Sequence, residues 1–318
     1  MKRLMTILTC LALLPASNLE AKTWIVKQAG GGDYTTISAA ISAATNGDVI
    51  SIFAGTYTEG LTVNKQLSLI GVSPLTVTVF NNQNAIKISS SNVLIKNLSI
   101  RSGSNYGIEI SAGYSGASII NNIINNCSNS YGVYTNSSTE GIIANNVFYN
   151  NKNGLYTGGT FSVYNNIFHG QGGDGTTSCS EDNHAIYRSG TPTIFNNIFY
   201  NNDVALNKNT GSAYYNSFYG QNNTNYCDCS AGIGDSASDP KVTDLSNEDF
   251  TLATGSPAID AGHPSTDYND VDGSRNDMGV YGGTYSWEIG PTITTITLDK
   301  VSVKQGETIT VTATAKSN

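Results

Sequence analysis

Asn145-Asn146-Val147-Phe148-Tyr149-Asn150 is rewritten through the middle of the chain, as Asn165-Asn166-Ile167-Phe168 and as Asn196-Asn197-Ile198-Phe199-Tyr200-Asn201. Looser copies are Asn121-Asn122-Ile123-Ile124 and Tyr215-Asn216-Ser217-Phe218. Aligned on the first Asn, and counting Asn97 upstream, the copies step by 24, 24, 20, 31 and 19 residues. A second motif, a small residue followed by an apolar one, keeps pace: Ala85-Ile86, Gly107-Ile108, Gly132-Val133, Gly154-Leu155, Ala185-Ile186 and Val204-Ala205. Two markers that drift together at such a period mark structural repeats.

Each repeat then supplies three short strands, and three columns should point inward. One is Ile95, Ile119, Ile143, Val163, Ile194 and Ala213; the second is Ile100, Ile124, Phe148, Phe168, Phe199 and Phe218. The third is Ile86, Ile108, Val133, Leu155, Ile186 and Ala205. Strands stacked about 4.8 Å apart give every inward residue a like neighbour above and below. The first Asn suits a tight bend, because Asn tolerates left-handed backbone angles better than other residues with a side chain. Its amide, buried at that bend, is expected to bond to its copies and to the turn backbone. The reading is an all-β solenoid, and the Asn column builds turns.

Working outward, Ile37, Ala40, Ile41 and Ala44 fall at helical spacing and Asn46-Gly47 follows as a stop signal. One helix ahead of many period-two strands predicts an N-terminal cap on the open end of the solenoid. Ahead of it, residues 1–21 read as a signal peptide: Lys2-Arg3, an apolar run from Leu4 to Leu14, and a cut after Ala21. The chain is therefore expected to be secreted or at the cell surface, with no membrane span and as a monomer. Its 318 residues are 39% hydrophobic and 13% charged, with net charge −8. Such a balance excludes a nucleic-acid partner, whose phosphates demand a basic surface.

The run Gly32-Asp33-Tyr34-Thr35-Thr36-Ile37, with Ala40-Ile41, Gly47-Asp48-Val49-Ile50 and Gly55-Thr56-Tyr57-Thr58-Glu59, resembles the opening of right-handed parallel β-helix proteins of the pectin lyase-like superfamily. Gly255-Ser256-Pro257-Ala258-Ile259-Asp260-Ala261-Gly262, with Asp272-Gly273-Ser274-Arg275 and Asp277-Met278-Gly279-Val280-Tyr281-Gly282-Gly283, resembles the closing segment of β-helix proteins described as choice-of-anchor. The resemblance implies a single-stranded right-handed parallel β-helix over 22–285 and a polysaccharide or cell-surface glycan as partner. Residues 291–318 change character and read as a β tail or the first strands of a truncated immunoglobulin-like module, which in full needs about 100 residues.

The resemblance implies no single reaction, and each known constellation can be sought. A hydrolase needs paired carboxylates, and the repeats hold no Asp-Asp pair or Asn-Thr-Asp run. The Asp-Phe-Ile-Phe-Gly type of run of a pectin esterase is missing. A polysaccharide lyase needs a Lys or Arg base, usually with calcium; no carboxylate cluster accompanies Lys87, Lys96, Arg101, Lys152, Arg188 or Lys208. No catalytic residue is assigned, and calcium enters only if the chain is a lyase. The alternative is a non-catalytic adhesin-like scaffold.

Two places remain. The 31-residue step carries His169, Glu181, Asp182, His184 and Arg188, a dense set for this chain, on an outsized loop of the kind that often houses function. Cys179 in that loop could be stapled to Cys227 or Cys229. Outward of the small–apolar motif stand Lys87, Glu109, Tyr134, Tyr156, Tyr187 and Leu206, and the three tyrosines on successive coils would form a ladder able to stack on sugar faces or on itself. No metal is expected: Cys227-Asp228-Cys229 lacks a partner pair, and a calcium loop on Asp267, Asp270, Asp272 and Asp277 would put Tyr268 at its first ligand position. Instead Asp260 and Asp277 are expected to pair with Arg275 and close the C-terminal end of the solenoid.

Overall fold

A computed structural model of the chain describes residues 20–172, 179, 183–208 and 210–287, together with the backbone of the strands Thr292–Leu298 and Val311–Lys316. The central repeats wind into a parallel β-helix. Sheet one has nine strands, running from Thr23–Val26 to Ser212–Tyr214. Sheet two runs from Gly55–Thr58 to Ser217–Tyr219 and sheet three from Leu61–Val63 to Thr224–Cys227, with eight strands each. Parallel neighbours always need a long crossover connection; here the rest of the coil is that connection.

The expected columns lie in register. Ile119, Ile143, Val163, Ile194 and Ala213 pair across sheet one. Ile124, Phe148, Phe168, Phe199 and Phe218 pair across sheet two and are at most 1% exposed. The phenylalanine rings stack with centroids 4.5, 5.1 and 4.8 Å apart. Their room comes from the small column of sheet three: a Cβ on Gly154 would stand 3.0 Å from the Phe168 ring and 2.4 Å from the Ala185 carbonyl. One column needs correction. Ile186 pairs with Leu206, not Ala205, and Tyr187 pairs with Asn207, so Leu206 faces inward rather than outward. Ala205 is the small residue of that coil, and the larger Leu206 fills the interior.

The two asparagines of the repeat divide the work. The first, at Asn97, Asn121, Asn145, Asn165 and Asn196, takes φ between 53° and 58°, as the bend demands. The stacked amide belongs to the second, not to the first as expected. Asn146 donates Nδ2 to Asn166 Oδ1 at 3.0 Å, Asn166 to Asn197 at 2.9 Å and Asn197 to Asn216 at 3.0 Å. A second amide ladder, Asn151, Gln171, Asn202 and Gln221, fills the next turn. Such buried amides stabilise a fold only when every partner is in place.

The helix Ile37–Ala43 buries Ile37, Ala40 and Ile41 against the first coil. The Glu59 carboxylate accepts the backbone N–H groups of Ile37 and Ser38 at 2.8 and 3.0 Å, where the helix dipole favours an anion. At the far end of the sequence the C-terminal segment does not close the solenoid. It lies along its side as a strap, because Ile123, Val147, Ile167 and Ile198 of sheet two point outward and are covered by Phe250, Ala258, Met278 and Val280. Arg275 does not pair with Asp260 or Asp277: its Nε donates to the Gly262 carbonyl at 2.8 Å. The strands Thr292–Leu298 and Val311–Lys316 pair antiparallel with each other.

Burial and the neighbouring carboxylates Asp270, Asp260 and Asp272 raise the Asp277 carboxyl from 3.8 to about 6, against the backbone N–H of Asp260 that it accepts. A raised carboxyl prefers its protonated form in the folded state. Its stabilisation is therefore full below the unfolded value near 3.8 and is lost as pH rises through about 6. Asp277→Asn keeps the acceptor and removes the charge. We expect it to stabilise the protein at pH 7 by about 1 kcal/mol, allowing for partial exposure, and to leave it unchanged near pH 3.5. Thermal melts across that range check this, and parallel pH profiles of the two proteins would refute it.

Candidate functional site

The tyrosine ladder exists and is closed on itself. Tyr106 and Tyr134 stack with centroids 4.4 Å apart, Tyr134 and Tyr156 at 4.5 Å, Tyr156 and Tyr187 at 5.4 Å. Tyr131 packs edge-on against Tyr134 and Tyr156. The inner ring faces thus meet other rings, and Tyr187 is only 5% exposed. Beyond Tyr187 stands the Lys208 ammonium, 5.6 Å from its ring. At the other end Lys87 and Glu109 form an ion pair at 3.7 Å. A sugar cannot slide a face between the inner rings; only their edges and hydroxyls meet solvent.

The residues expected from the long coil are divided. His169 lies on sheet two, its Nδ1 3.1 Å from the Tyr200 carbonyl, and burial lowers its pKa. His184, Tyr187 and Arg188 come together on sheet three. His184 Nε2 is 2.8 Å from Asn207 Nδ2, and Arg188 Nε donates to the Asn207 carbonyl at 3.4 Å. Glu181 and Asp182 lie outside the described residues. Cys179 bonds to Cys227, and Cys229 stays free beside Arg188. Burial raises the Cys229 thiol, opposed by the guanidinium. Asn207, adjacent in register to Cys227, also donates to the Cys179 carbonyl at 3.3 Å. This cluster staples the end of the loop to the last coils.

One concave site was not legible in the sequence. It is a cleft of about 490 Å³ beside residues 281–287 of the strap, lined by Lys96, Asn97, Asn121, Tyr281, Tyr285 and Trp287 among others. Residues 72–75 and Glu248 also line it. Sheet register sets its floor: Ile70 pairs with Lys96 and Lys96 with Ile120, so Asn97 and Asn121 are consecutive rungs of the left-handed Asn column. Asn121 is 9% exposed and its Oδ1 has no hydrogen-bond partner among the described residues. Trp287 is fixed by donating Nε1 to the Asn145 carbonyl at 2.6 Å and by packing edge-on against Phe250. Aromatic walls with a few fixed polar groups are the usual make-up of a small-ligand site.

Glycoside hydrolysis takes two carboxyl groups across the bond, and Glu248 is the single carboxylate among the described lining residues. Among the described residues, no group of three or more His, Cys, Asp or Glu is placed to hold a metal ion. Among them, too, no helix is long and apolar enough to cross a membrane. Fold and site together define a β-solenoid with a side cleft.

No protein-family model matches the chain, and no curated protein matches it. Solved structures that share its general form include a pectin methylesterase from carrot, at TM-score 0.35 and 12% identity over 65% of this chain and 83% of that one. The pectin methylesterase PemA from Erwinia chrysanthemi aligns at TM-score 0.37 and 12% identity, over 67% of this chain and 82% of that one. A pectin methylesterase in complex with a hexasaccharide gives TM-score 0.39 and 11% identity, over 67% and 82%. At these scores the likeness carries nothing about activity.

Proposed function

We propose that this chain is an exported, non-catalytic polysaccharide-binding β-helix, and that its binding site is the cleft beside residues 281–287 of the strap. The observation that carries this reading is the cleft's chemistry: Tyr281, Tyr285 and Trp287 line it together with two asparagines, Asn97 and Asn121. Sugar rings combine apolar faces with a rim of hydroxyls, so aromatic surface and fixed amides together suit them. Lys96 and Glu248 bring one charge of each sign, so the cleft needs no ionic partner and no cation to bridge one.

Affinity electrophoresis against neutral and uronate-containing polysaccharides, with and without calcium, tests the reading. We expect retention without new absorbance from unsaturated uronates. Lys96→Ala and Tyr285→Ala should lose retention, whereas Tyr134→Ala and Tyr156→Ala should keep it. Loss with the ladder variants alone would move the site to sheet three. New absorbance would make the chain a lyase. A second reading, a cell-surface scaffold, draws on the ladders that satisfy themselves along the whole solenoid; absence of both retention and absorbance would leave it in place.

A further inference from the structure

The first strand, Thr23–Val26, starts just beyond Ala21, after which the leader is expected to be cut. It pairs with Val49–Ile52, Thr23 lying opposite Val49. Lys22 is held on both sides of its α-carbon. Its carbonyl accepts the Val49 N–H at 2.8 Å, and its own backbone nitrogen donates to Asp48 Oδ1 at 2.9 Å. Its side-chain ammonium lies 3.3 Å from the centre of the Trp24 ring. Glu20 and Ala21, before it, are exposed.

Asp48 has 3% of its surface exposed. Its Oδ2 accepts the Trp24 Nε1–H at 3.0 Å, the Thr45 N–H at 2.8 Å and the Thr45 hydroxyl at 3.2 Å. Such donors, the Thr45 N–H first, hold its carboxyl down at about 2, so it is ionised at neutral pH. Yet every one of them is neutral, as is the Lys22 amide on Oδ1. Among the described residues no cation stands within ion-pair distance of Asp48. An aspartate so well covered normally has a charged partner.

We propose that removal of the leader at the Ala21–Lys22 bond supplies that partner. Hydrolysis by a leader peptidase adds water across the bond, leaving a carboxylate on Ala21 and an α-ammonium on Lys22. Sheet register keeps the Lys22 nitrogen against Asp48 Oδ1. A neutral amide contact thereby becomes a charge-assisted hydrogen bond, which is roughly twice as strong. Asp48 thus reads whether the chain has been cut: the first coil tightens in the exported form, and one residue of leader left in place returns the nitrogen to a neutral amide. The inference rests on the export part of the proposed function and is independent of the cleft.

N-terminal sequencing and amide hydrogen exchange test this. Expressed with its leader in an exporting host, the chain should be recovered outside the cytoplasm beginning at Lys22. A different start would overturn the inference and leave export intact; retention uncut inside the cell would overturn both. Compared with the same chain prolonged by Glu20-Ala21, the chain that begins at Lys22 should exchange the N–H groups of Thr23–Val26 about tenfold more slowly. Asp48→Asn keeps an acceptor and removes the charge, and should bring the two lengths to parity. Exchange in Ile167–His169, far along the solenoid, should be the same in all four proteins, which controls for folding. Equal exchange in the two lengths of the unaltered chain would overturn the inference even if the variant folds poorly. A difference that persists in Asp48→Asn would overturn it as well, because the ammonium would then act without Asp48.

Discussion

Replacing Asn166 by alanine is expected to cost about 3–5 kcal/mol of folding stability, more than most single substitutions. Its Oδ1 accepts both the backbone N–H and the Nδ2 of Asn146, at 2.9 and 3.0 Å. Its Nδ2 donates to the carbonyls of Ile143 and Tyr164 and to Asn197 Oδ1. Asn166 is fully buried, so water cannot replace these partners. The Tyr164 carbonyl keeps the Asn145 N–H and Asn197 Oδ1 keeps the Asn166 N–H. Asn146 Nδ2 likewise keeps the Ile119 and Ala144 carbonyls. The Asn146 backbone N–H and the Ile143 carbonyl lose their amide partner, at about 1–3 kcal/mol for each group left unsatisfied. Asn166→Asp should be as damaging at neutral pH, because an acceptor-only carboxylate would face the same carbonyls. Chemical denaturation of both variants measures the effect. A loss below about 1 kcal/mol for the alanine variant would show that coil backbones carry the turn without the ladder.

The fold was legible because a solenoid repeats its own evidence. Any one copy of Asn-Asn-Val-Phe is ambiguous, but the column of Phe148, Phe168 and Phe199 has only one direction in which to bury itself. The division between the two asparagines was harder to see. Both recur together, and only geometry separates the residue that bends the chain from the residue whose amide fills the bend. The third residue of the repeat carried an unused signal: Val147, Ile167 and Ile198 are apolar although they alternate with the inward Phe, which announces a covered outer face. The Leu206 register is hidden in the sequence because Ala205 reads there as the apolar member of the motif, whereas in the coil it is the small one.

The cleft had no local signature to offer. Its lining comes from residues 72–75, 96, 97, 121 and 248 and from the aromatic segment 281–287. Nothing in the spacing of those segments says that the strap runs back along the side and brings Trp287 to the Asn145 carbonyl. The tyrosine ladder shows the converse. Its existence followed from the repeat, but whether its faces were free depended on ring spacing, which strand stacking sets near the thickness of a ring pair.

Phe168→Ala should cost about 3–5 kcal/mol, for reasons that depend on its place in the stack. Phe168 is fully buried and sandwiched between Phe148 and Phe199, with interplanar angles of 10° and 9°. Truncation removes both ring contacts and opens a void in a column that cannot collapse, because the sheet hydrogen bonds fix the coil spacing. The column neighbour on sheet three cannot fill it: a Cβ on Gly154 would lie 2.4 Å from the Ala185 carbonyl, so Gly154→Ala offers no rescue. Phe218, stacked on Phe199 alone and tilted against Tyr226, should lose less on the same truncation. Stability in a repeat array is a sum over nearest neighbours; Phe168→Ala therefore removes two interface terms where Phe218→Ala removes one stacked term and one tilted contact. Denaturation of the two variants side by side decides the matter: equal losses would mean that burial alone, and not the stack, holds the phenylalanine column together.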